Sequence, residues 1–253
     1  MNSPVHITFL GGLGEIGRNC AAIEVDERIV LLDCGQLFPY KHPGVDSILP
    51  DFKWLLDRRN DIEACVVSHP HEDHIGGIPH LFRHLSVPIY GSPFTLGMIK
   101  AKLESHEVEL PPLVVVEDNE THEIGRFECE FLPVTHSTSG GLMTIFRTPQ
   151  GVILHSSDFK LDPTPVDGRL TDLKRVSDIS KKEGIRLLLA DSTNAENEGV
   201  SLSESEIGPI LEDVFNENEG RRIIVGTFSS HIHRIQQIAD AATKTDRKLA
   251  ILG

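Results

Sequence analysis

Short apolar runs separated by turns dominate the first part of the chain. Alternating or continuous apolar residues, many of them β-branched, predict strands there. These predicted strands cover residues 5–11, 20–25, 28–35, 62–68, 112–118, 127–134, 142–148 and 151–158. Apolar residues that recur every three to four positions predict helices over 75–85 and 93–106. The chain therefore begins as a β-meander and continues as a mixture of strands and helices.

The second part of the chain alternates more regularly between helices and strands. The same patterns predict helices over 168–184, 203–218 and 232–244, and strands over 185–192, 221–228 and 248–253. A polar stretch, DSTNAENEGVSLSESE, interrupts this order, and we place a domain boundary there at residue 197. The order of elements predicts an α/β sandwich with helices outside paired sheets. Because the chain stops on an apolar strand, we expect it to be truncated.

The composition limits the classes of protein to which the chain can belong. Its 253 residues, 39% of them hydrophobic, can bury a sizeable core, and no apolar run is long enough to span a membrane. The N-terminus lacks the pattern of a secretory signal. The four cysteines form no C-x-x-C pair, so we expect reduced thiols and a cytoplasmic location. The net charge of −14 disfavours nonspecific binding to nucleic acid, although bound cations can make a cleft locally positive.

The segment GLGEIG matches the G-x-G-x-x-G pattern of a dinucleotide-binding loop. Gly12, Gly14 and Gly17 supply the glycines, and Asp33 ends a later strand. A dinucleotide site also needs a helix that opens at these glycines, but the following residues alternate like a hairpin. The glycines are therefore expected to form tight turns at the end of a strand.

The segment SHPHEDHIG, residues 68–76, concentrates residues that bind metals. His69 and His71 lie two residues apart, and Pro70 favours an extended backbone, so both imidazoles face one side. Asp73 and His74 follow where a helix begins, and they face a second point in space. This spacing indicates two adjacent cations. Imidazole and carboxylate ligands without cysteine favour zinc, with manganese as the alternative.

Three more polar residues follow apolar runs, where open α/β architectures place their functional residues. His136 and Asp158 are expected to be further ligands, and the Asp158 carboxylate can bridge two cations. Asp33 is the candidate acceptor that orients a ligand histidine, and its alternative role is to cap a turn.

Several segments together resemble ribonuclease J, a family in the β-CASP branch of the metallo-β-lactamase superfamily. These segments are LGGLGEIGRN, LDCGQLFP, HEDHIGGIPHL, DFKLDPTPVDG, LADSTNAE and RRIIVGTFSSHIHRIQQ. The resemblance implies a metallo-β-lactamase αββα sandwich followed by the start of a β-CASP α/β domain. Residues 1–197 would form the first domain without its C-terminal return segment, and residues 198–253 would begin the second.

The resemblance also implies roles for individual residues. One cation would be bound by His69, His71 and His136, and the other by Asp73 and His74, with Asp158 as the bridge. A further histidine of the second site would come from a later segment.

Outside the cation ligands, Asp191 matches an acidic β-CASP motif with a catalytic role. Ser229, Ser230 and His231 match a stretch that contacts substrate phosphate, although the two serines can equally cap a helix. Asp46, near HPGVDS, is the candidate for a structural calcium site.

The function implied by the resemblance is metal-dependent hydrolysis of RNA in its maturation and decay. The family acts as a 5′→3′ exonuclease that favours 5′-monophosphate ends, with some endonuclease activity, as homodimers or tetramers. Three alternatives stay open, namely a noncatalytic partner subunit, a small-molecule metallo-hydrolase and action on DNA. We expect this chain alone to be weakly active or inactive.

Overall fold

Two β-sheets packed face to face form the centre of the structure, a computed structural model that describes residues 3–39 and 43–252. The first sheet contains six strands in sequence order: β1 (Val5–Gly11), β2 (Cys20–Val25), β3 (Arg28–Leu32), β4 (Ile62–Val66), β5 (Ile89–Gly91) and β6 (Leu113–Val115). The second sheet has the order β11-β10-β9-β8-β7: β7 (Thr121–Ile124), β8 (Phe127–Pro133), β9 (Leu142–Thr148), β10 (Gly151–His155) and β11 (Ile185–Leu189).

Each sheet combines antiparallel and parallel strand pairs. In the first sheet, β1, β2 and β3 form an antiparallel meander, and β3 through β6 are parallel. In the second sheet, β7 through β10 are antiparallel, and β11 is parallel to β10. Parallel neighbours need a crossover between them, which is where the chain places its helices.

Helices cover the outer faces of both sheets, and two further helices lie beyond residue 203. They are α1 (Lys53–Asp57), α2 (Glu72–Ile75), α3 (Ile78–Phe82), α4 (Pro93–Ser105), α5 (Leu173–Lys182), α6 (Glu204–Glu217) and α7 (Ile232–Lys244), with a 3-10 turn at Arg59–Asp61. Residues of α1, α3 and α4 pack on the first sheet. Helix α5 packs on the second sheet through Ile179. The predicted αββα sandwich is confirmed.

Strand β3 shows why its sequence is apolar at successive positions. Ile29 and Leu31 belong to the core under the helices, whereas Val30 and Leu32 belong to the core between the sheets. Because successive side chains of a strand point to opposite faces, a strand buried on both faces needs an uninterrupted apolar run. Three phenylalanines of the second sheet fill the space opposite: Phe127, Phe131 and Phe146.

The helical part of the chain beyond residue 203 has its own small core. Phe215 of α6 packs against Ile238, Ala241 and Ala242 of α7. The predicted helices are present, but the predicted strands over 221–228 and 248–253 are wrong for the residues that the structure describes, since neither segment pairs with another described strand. Their apolar sequence gives β-propensity, but a strand forms only beside a neighbour that takes up its backbone hydrogen bonds.

Two other features of the chain concern its environment and its thiols. No helix in the described part of the chain is long and apolar enough to cross a membrane. All four cysteines are buried and none forms a disulfide.

Gly35 sets how closely the loop after β3 approaches helix α2. A Cβ atom on Gly35 would lie 1.6 Å from the carbonyl oxygen of Asp73 and 2.8 Å from the amide nitrogen of His74. The backbone also hydrogen-bonds here, because Cys34 N–H donates to the His74 carbonyl at 2.8 Å. Only glycine permits this approach.

We predict that Gly35→Ala lowers the free energy of unfolding by about 3 kcal/mol or more, because backbone atoms must move to admit the methyl group. Urea denaturation measures the change. The matched control is Gly97→Ala in α4, where an added Cβ meets no described atom within 4 Å. That change should stabilise the helix by about 0.5–1 kcal/mol. Equal stabilities of the two variants would contradict the steric account.

Candidate metal centre

Five of the polar residues predicted to form the site follow the ends of four strands. His69 and His71 follow β4, His136 follows β8, and Asp158 follows β10. Asp33 follows β3 in the left-handed region, with φ 58°. Because these strands end at the same edge of the sandwich, residues up to 125 positions apart in the chain lie together.

The first group of potential ligands contains three histidines and one aspartate. The ligand atoms of His69, His71, His136 and Asp158 all lie within 4.8 Å of one another. His136 Nε2 is 3.2 Å from His71 Nδ1, and Asp158 Oδ2 is 3.8 Å from His69 Nε2 and 3.9 Å from His136 Nε2. Three imidazoles and a carboxylate oxygen therefore surround one point.

The second group shares Asp158 with the first. It consists of Asp73, His74 and Asp158, and its ligand atoms also lie within 4.8 Å of one another. His74 Nε2 is 3.3 Å from Asp158 Oδ1 and 3.6 Å from Asp73 Oδ2. Oδ2 of Asp158 faces the first group and Oδ1 faces the second, so this carboxylate presents one oxygen to each group.

Hydrogen bonds from the surrounding residues fix the orientation of the imidazoles. His74 Nδ1 lies 2.8 Å from Asp33 Oδ2, and Asp33 also accepts from the backbone and the hydroxyl of Ser68 at 2.8 and 2.9 Å. His69 Nδ1 is 3.1 Å from the Ser68 hydroxyl and 3.2 Å from the Ser157 hydroxyl. These contacts direct the Nε2 atoms of both rings toward Asp158.

Burial controls the protonation of the first group. Desolvation and the neighbouring imidazoles lower the pKa of His69 well below its usual value, and they lower the pKa of His71 to about 3. Burial also lowers the pKa of His136. All three rings are therefore neutral near pH 7, which is the form that binds a metal.

Charge interactions dominate the second group. Burial disfavours protonated His74, but Asp33 and Asp158 outweigh it and raise the pKa of the ring. Burial raises the pKa of Asp73. Burial also opposes ionisation of Asp158, yet the nearby His74 lowers the pKa of this carboxyl to about 2. Asp33 and Asp158 thus favour positive charge on His74, and a cation bound by this ring must displace a proton.

The donor set fits a metal. Among the described residues, His69 Nε2 has no hydrogen-bond partner although the ring is completely buried. An unpaired polar atom in that position is costly, and a cation bound by its lone pair removes the cost. Imidazole nitrogens and carboxylate oxygens are the ligands of zinc and related divalent metals.

The remaining predicted residues take different positions. Asp191 follows β11, and its carboxylate accepts from the backbone N–H of Thr193 at 2.7 Å and of Phe159 at 3.5 Å, beside Asp158. His231 is the N-cap of α7, where its Nδ1 accepts from the backbone N–H of Arg234 at 3.1 Å.

The other predicted residues lie nearer the surface. Neither Ser229 nor Ser230 caps α7, and Ser229 is exposed. Asp46 is exposed and belongs to neither group of potential ligands, and His42 of the same segment lies outside the described residues.

A cleft of about 670 Å³ opens beside the second group. Its lining includes Asp73, His74, Asp158, Asp191 and the glycine-rich loop after β1. Two lining residues were not predicted from the sequence. The side-chain amide nitrogen of Asn19 lies 3.1 Å from His74 Nε2, and His155 lines the cleft with its side chain partly buried. The position of His155 at the end of an apolar strand was a usable signal, whereas Asn19 carried none.

Comparison with known proteins identifies the superfamily. Residues 13–191 match the model of the metallo-beta-lactamase superfamily, and residues 220–253 match that of the ribonuclease J beta-CASP domain. A solved protein of unknown function from Enterococcus faecalis has a similar fold, with a TM-score of 0.66 and 18% identity over 93% of this chain and 63% of its own.

Curated relatives share more of the sequence. The chain is 45% identical to ribonuclease J of Mycolicibacterium smegmatis and to that of Mycobacterium tuberculosis, over 98% of this chain and 44% of each relative. The chain thus spans less than half the length of these relatives. The family-model match covers both groups of potential ligands. The chain belongs to the metallo-beta-lactamase superfamily, and its curated relatives within that superfamily are ribonucleases J.

Proposed function

We propose that the chain carries the metal centre of a ribonuclease that hydrolyses RNA phosphodiester bonds. One observation carries the proposal: the two groups of ligands joined by Asp158 occur in a chain that is 45% identical to ribonucleases J. The proposed activity is 5′→3′ exonucleolytic, with endonucleolytic cleavage in addition, in RNA maturation and decay.

The proposed cofactors are two Zn²⁺ ions, with Mn²⁺ as the alternative. His69, His71 and His136 would bind the first cation, Asp73 and His74 would bind the second, and Asp158 would bind both. The neutral imidazoles favour zinc, and the carboxylate oxygens of the second group also suit manganese. A structural Ca²⁺ near Asp46 completes the proposed set.

The mechanism assigns separate tasks to the residues of the chain. Bound divalent cations supply a nucleophile at neutral pH and offset the charge that develops on phosphoryl oxygens. Asp73 orients the attacking water and accepts its proton, a role that suits a carboxylate whose pKa is raised by burial. Asp33 maintains the orientation of His74, and Asp191 maintains the loop that carries Asp158.

The open cleft beside Asp73 and His74 suggests how the domain is completed. We propose that residues 1–197 form a metallo-β-lactamase domain that lacks its return segment, and that residues 198–253 begin a β-CASP domain. The return segment would supply a further histidine to the second site through this cleft. The chain alone is therefore expected to be weakly active or inactive.

The proposed substrate is RNA with a 5′-monophosphate end. Ser229, Ser230 and His231 would contact its phosphate, since hydroxyls and backbone N–H groups near the start of α7 can bind anions. The proposed location is the cytoplasm, and the proposed assembly is a homodimer or tetramer.

We predict that Asp33→Asn weakens zinc binding 10–100-fold, because the amide holds the His74 ring less firmly than the carboxylate does. Zinc titration against a competing chelator measures the affinity. Asparagine tolerates the left-handed backbone of residue 33, so the fold should be retained.

The matched control for this substitution is Asp26→Asn. Asp26 also has a left-handed backbone, with φ 50°, but lies exposed in the turn between β2 and β3. The control should bind zinc like the parent chain. Parental affinity in Asp33→Asn would show that Asp33 does not support the metal ligand His74.

We predict that Asp73→Asn lowers the rate of RNA hydrolysis about 10²–10⁴-fold, because the amide cannot accept a proton. The assay follows end-labelled RNAs with a 5′-monophosphate, triphosphate or hydroxyl, with the full-length gene product. The 5′-monophosphate RNA should be degraded fastest.

The matched control is Glu72→Gln, the adjacent residue. Its carboxylate pairs with Lys102 at 2.8 Å and accepts from Gln36, outside both ligand groups. Activity should stay near that of the parent. Undiminished turnover in Asp73→Asn would exclude the proposed role, and a parent enzyme that binds metal but cleaves no RNA would exclude the proposed function.

A further inference from the structure

The side chain of Asn19 contacts both residues that belong only to the second group of ligands. Its Nδ2 lies 3.1 Å from His74 Nε2 and 3.4 Å from Asp73 Oδ2. The same nitrogen donates to the backbone carbonyl of Asp73 at 3.1 Å. No other described side chain outside the two ligand groups hydrogen-bonds both Asp73 and His74.

The hydrogens of this amide have defined partners once a cation is bound. The two Nδ2 hydrogens have three neighbouring acceptors, namely the Asp73 carbonyl, Asp73 Oδ2 and His74 Nε2. A cation held by His74 would use the lone pair of Nε2, which would leave the Asp73 carbonyl and Asp73 Oδ2 as the acceptors for the two hydrogens. Asn19 then fixes one carboxylate oxygen of Asp73 and determines how this side chain faces the cation.

The backbone of Asn19 is anchored at the same place. Its N–H donates to the Asp73 carbonyl at 3.0 Å, and its own carbonyl accepts from Gly35 N–H at 2.9 Å. Because these bonds use backbone atoms, removal of the amide group leaves them intact. The position of residue 19 beside α2 therefore does not depend on its side chain.

The glycine-rich loop makes room for the Asn19 amide because its glycines have no Cβ atom. A Cβ atom on Gly12 would lie 2.6 Å from Asn19 Oδ1, and Gly12 has a φ of 87°, which disfavours other residues. Gly11 has a similar constraint, because a Cβ there would lie 2.2 Å from the Arg18 carbonyl oxygen. The segment GLGEIG, which resembles a nucleotide-binding loop in sequence, packs on Asn19 instead.

We infer that Asn19 is a positioning residue of the second cation site, and that the loop containing Gly12 is shaped to hold its amide against Asp73 and His74. The inference rests on the proposed two-cation centre. Through Asp73, Asn19 would affect both the affinity of the second cation and the orientation of the attacking water.

The test is a titration of the metal-free full-length gene product with Co²⁺ against a competing chelator, followed by visible absorption. Asn19→Ala should lower the affinity for the second equivalent of Co²⁺ 10–100-fold and leave the affinity for the first equivalent unchanged. Gly12→Ala should weaken the same equivalent, since it displaces the amide without removing it. Circular dichroism should be the same for the parent and Asn19→Ala.

The matched control is Asn197→Ala. Asn197 lines the same cleft, and its amide bonds only Asn194 among the described residues, at 2.9 Å. Its two affinities should equal those of the parent. The inference would be overturned if Asn19→Ala bound both Co²⁺ ions as tightly as the parent does, or if it lost affinity equally at both sites. Either result would leave the proposed function intact. Binding of fewer than two Co²⁺ ions by the parent would overturn both.

Discussion

The buried imidazole of His69 is the constraint on which the rest of the centre depends. Its Nδ1 is occupied by the hydroxyls of Ser68 and Ser157, and its Nε2 has no hydrogen-bond partner in the described part of the chain. An unsatisfied buried atom costs about 1–3 kcal/mol, which a bound cation would offset. The same desolvation keeps the ring neutral and ready to bind a metal. Burial of His69 therefore has two effects: it makes the unpaired Nε2 atom energetically costly, and it keeps the ring in the neutral form that binds a metal.

The sandwich makes this arrangement possible because its strands end at one edge. The first sheet contributes His69 and His71 after β4, and the second contributes His136 and Asp158 after β8 and β10. Asp158 then joins two clusters that have different electrostatics. The first is a set of neutral histidines, and in the second the carboxylates stabilise positive charge on His74. Two cations bound there would share the Asp158 carboxylate, but the electrostatic surroundings of the two sites would differ.

The parts of the site that depend on neighbouring residues in the chain were predictable from the sequence. The spacing from His69 to His74 indicated two points of ligation, and apolar runs indicated which strands end in His136 and Asp158. Asn19 was not predictable, because its contact with Asp73 spans 54 residues of the chain. Two predicted strands, over 221–228 and 248–253, were wrong in their described residues. Strand formation depends on a pairing neighbour, which apolar composition alone does not supply.

Anomalous diffraction at the zinc edge from crystals of the zinc-loaded full-length gene product tests the central claim most directly. We predict two zinc ions about 3.5–4 Å apart, bridged by Asp158. His69, His71 and His136 should bind one ion, and Asp73 and His74 should bind the other. A single ion at saturating zinc, or ions bound to residues outside these two groups, would contradict a two-cation centre joined by Asp158.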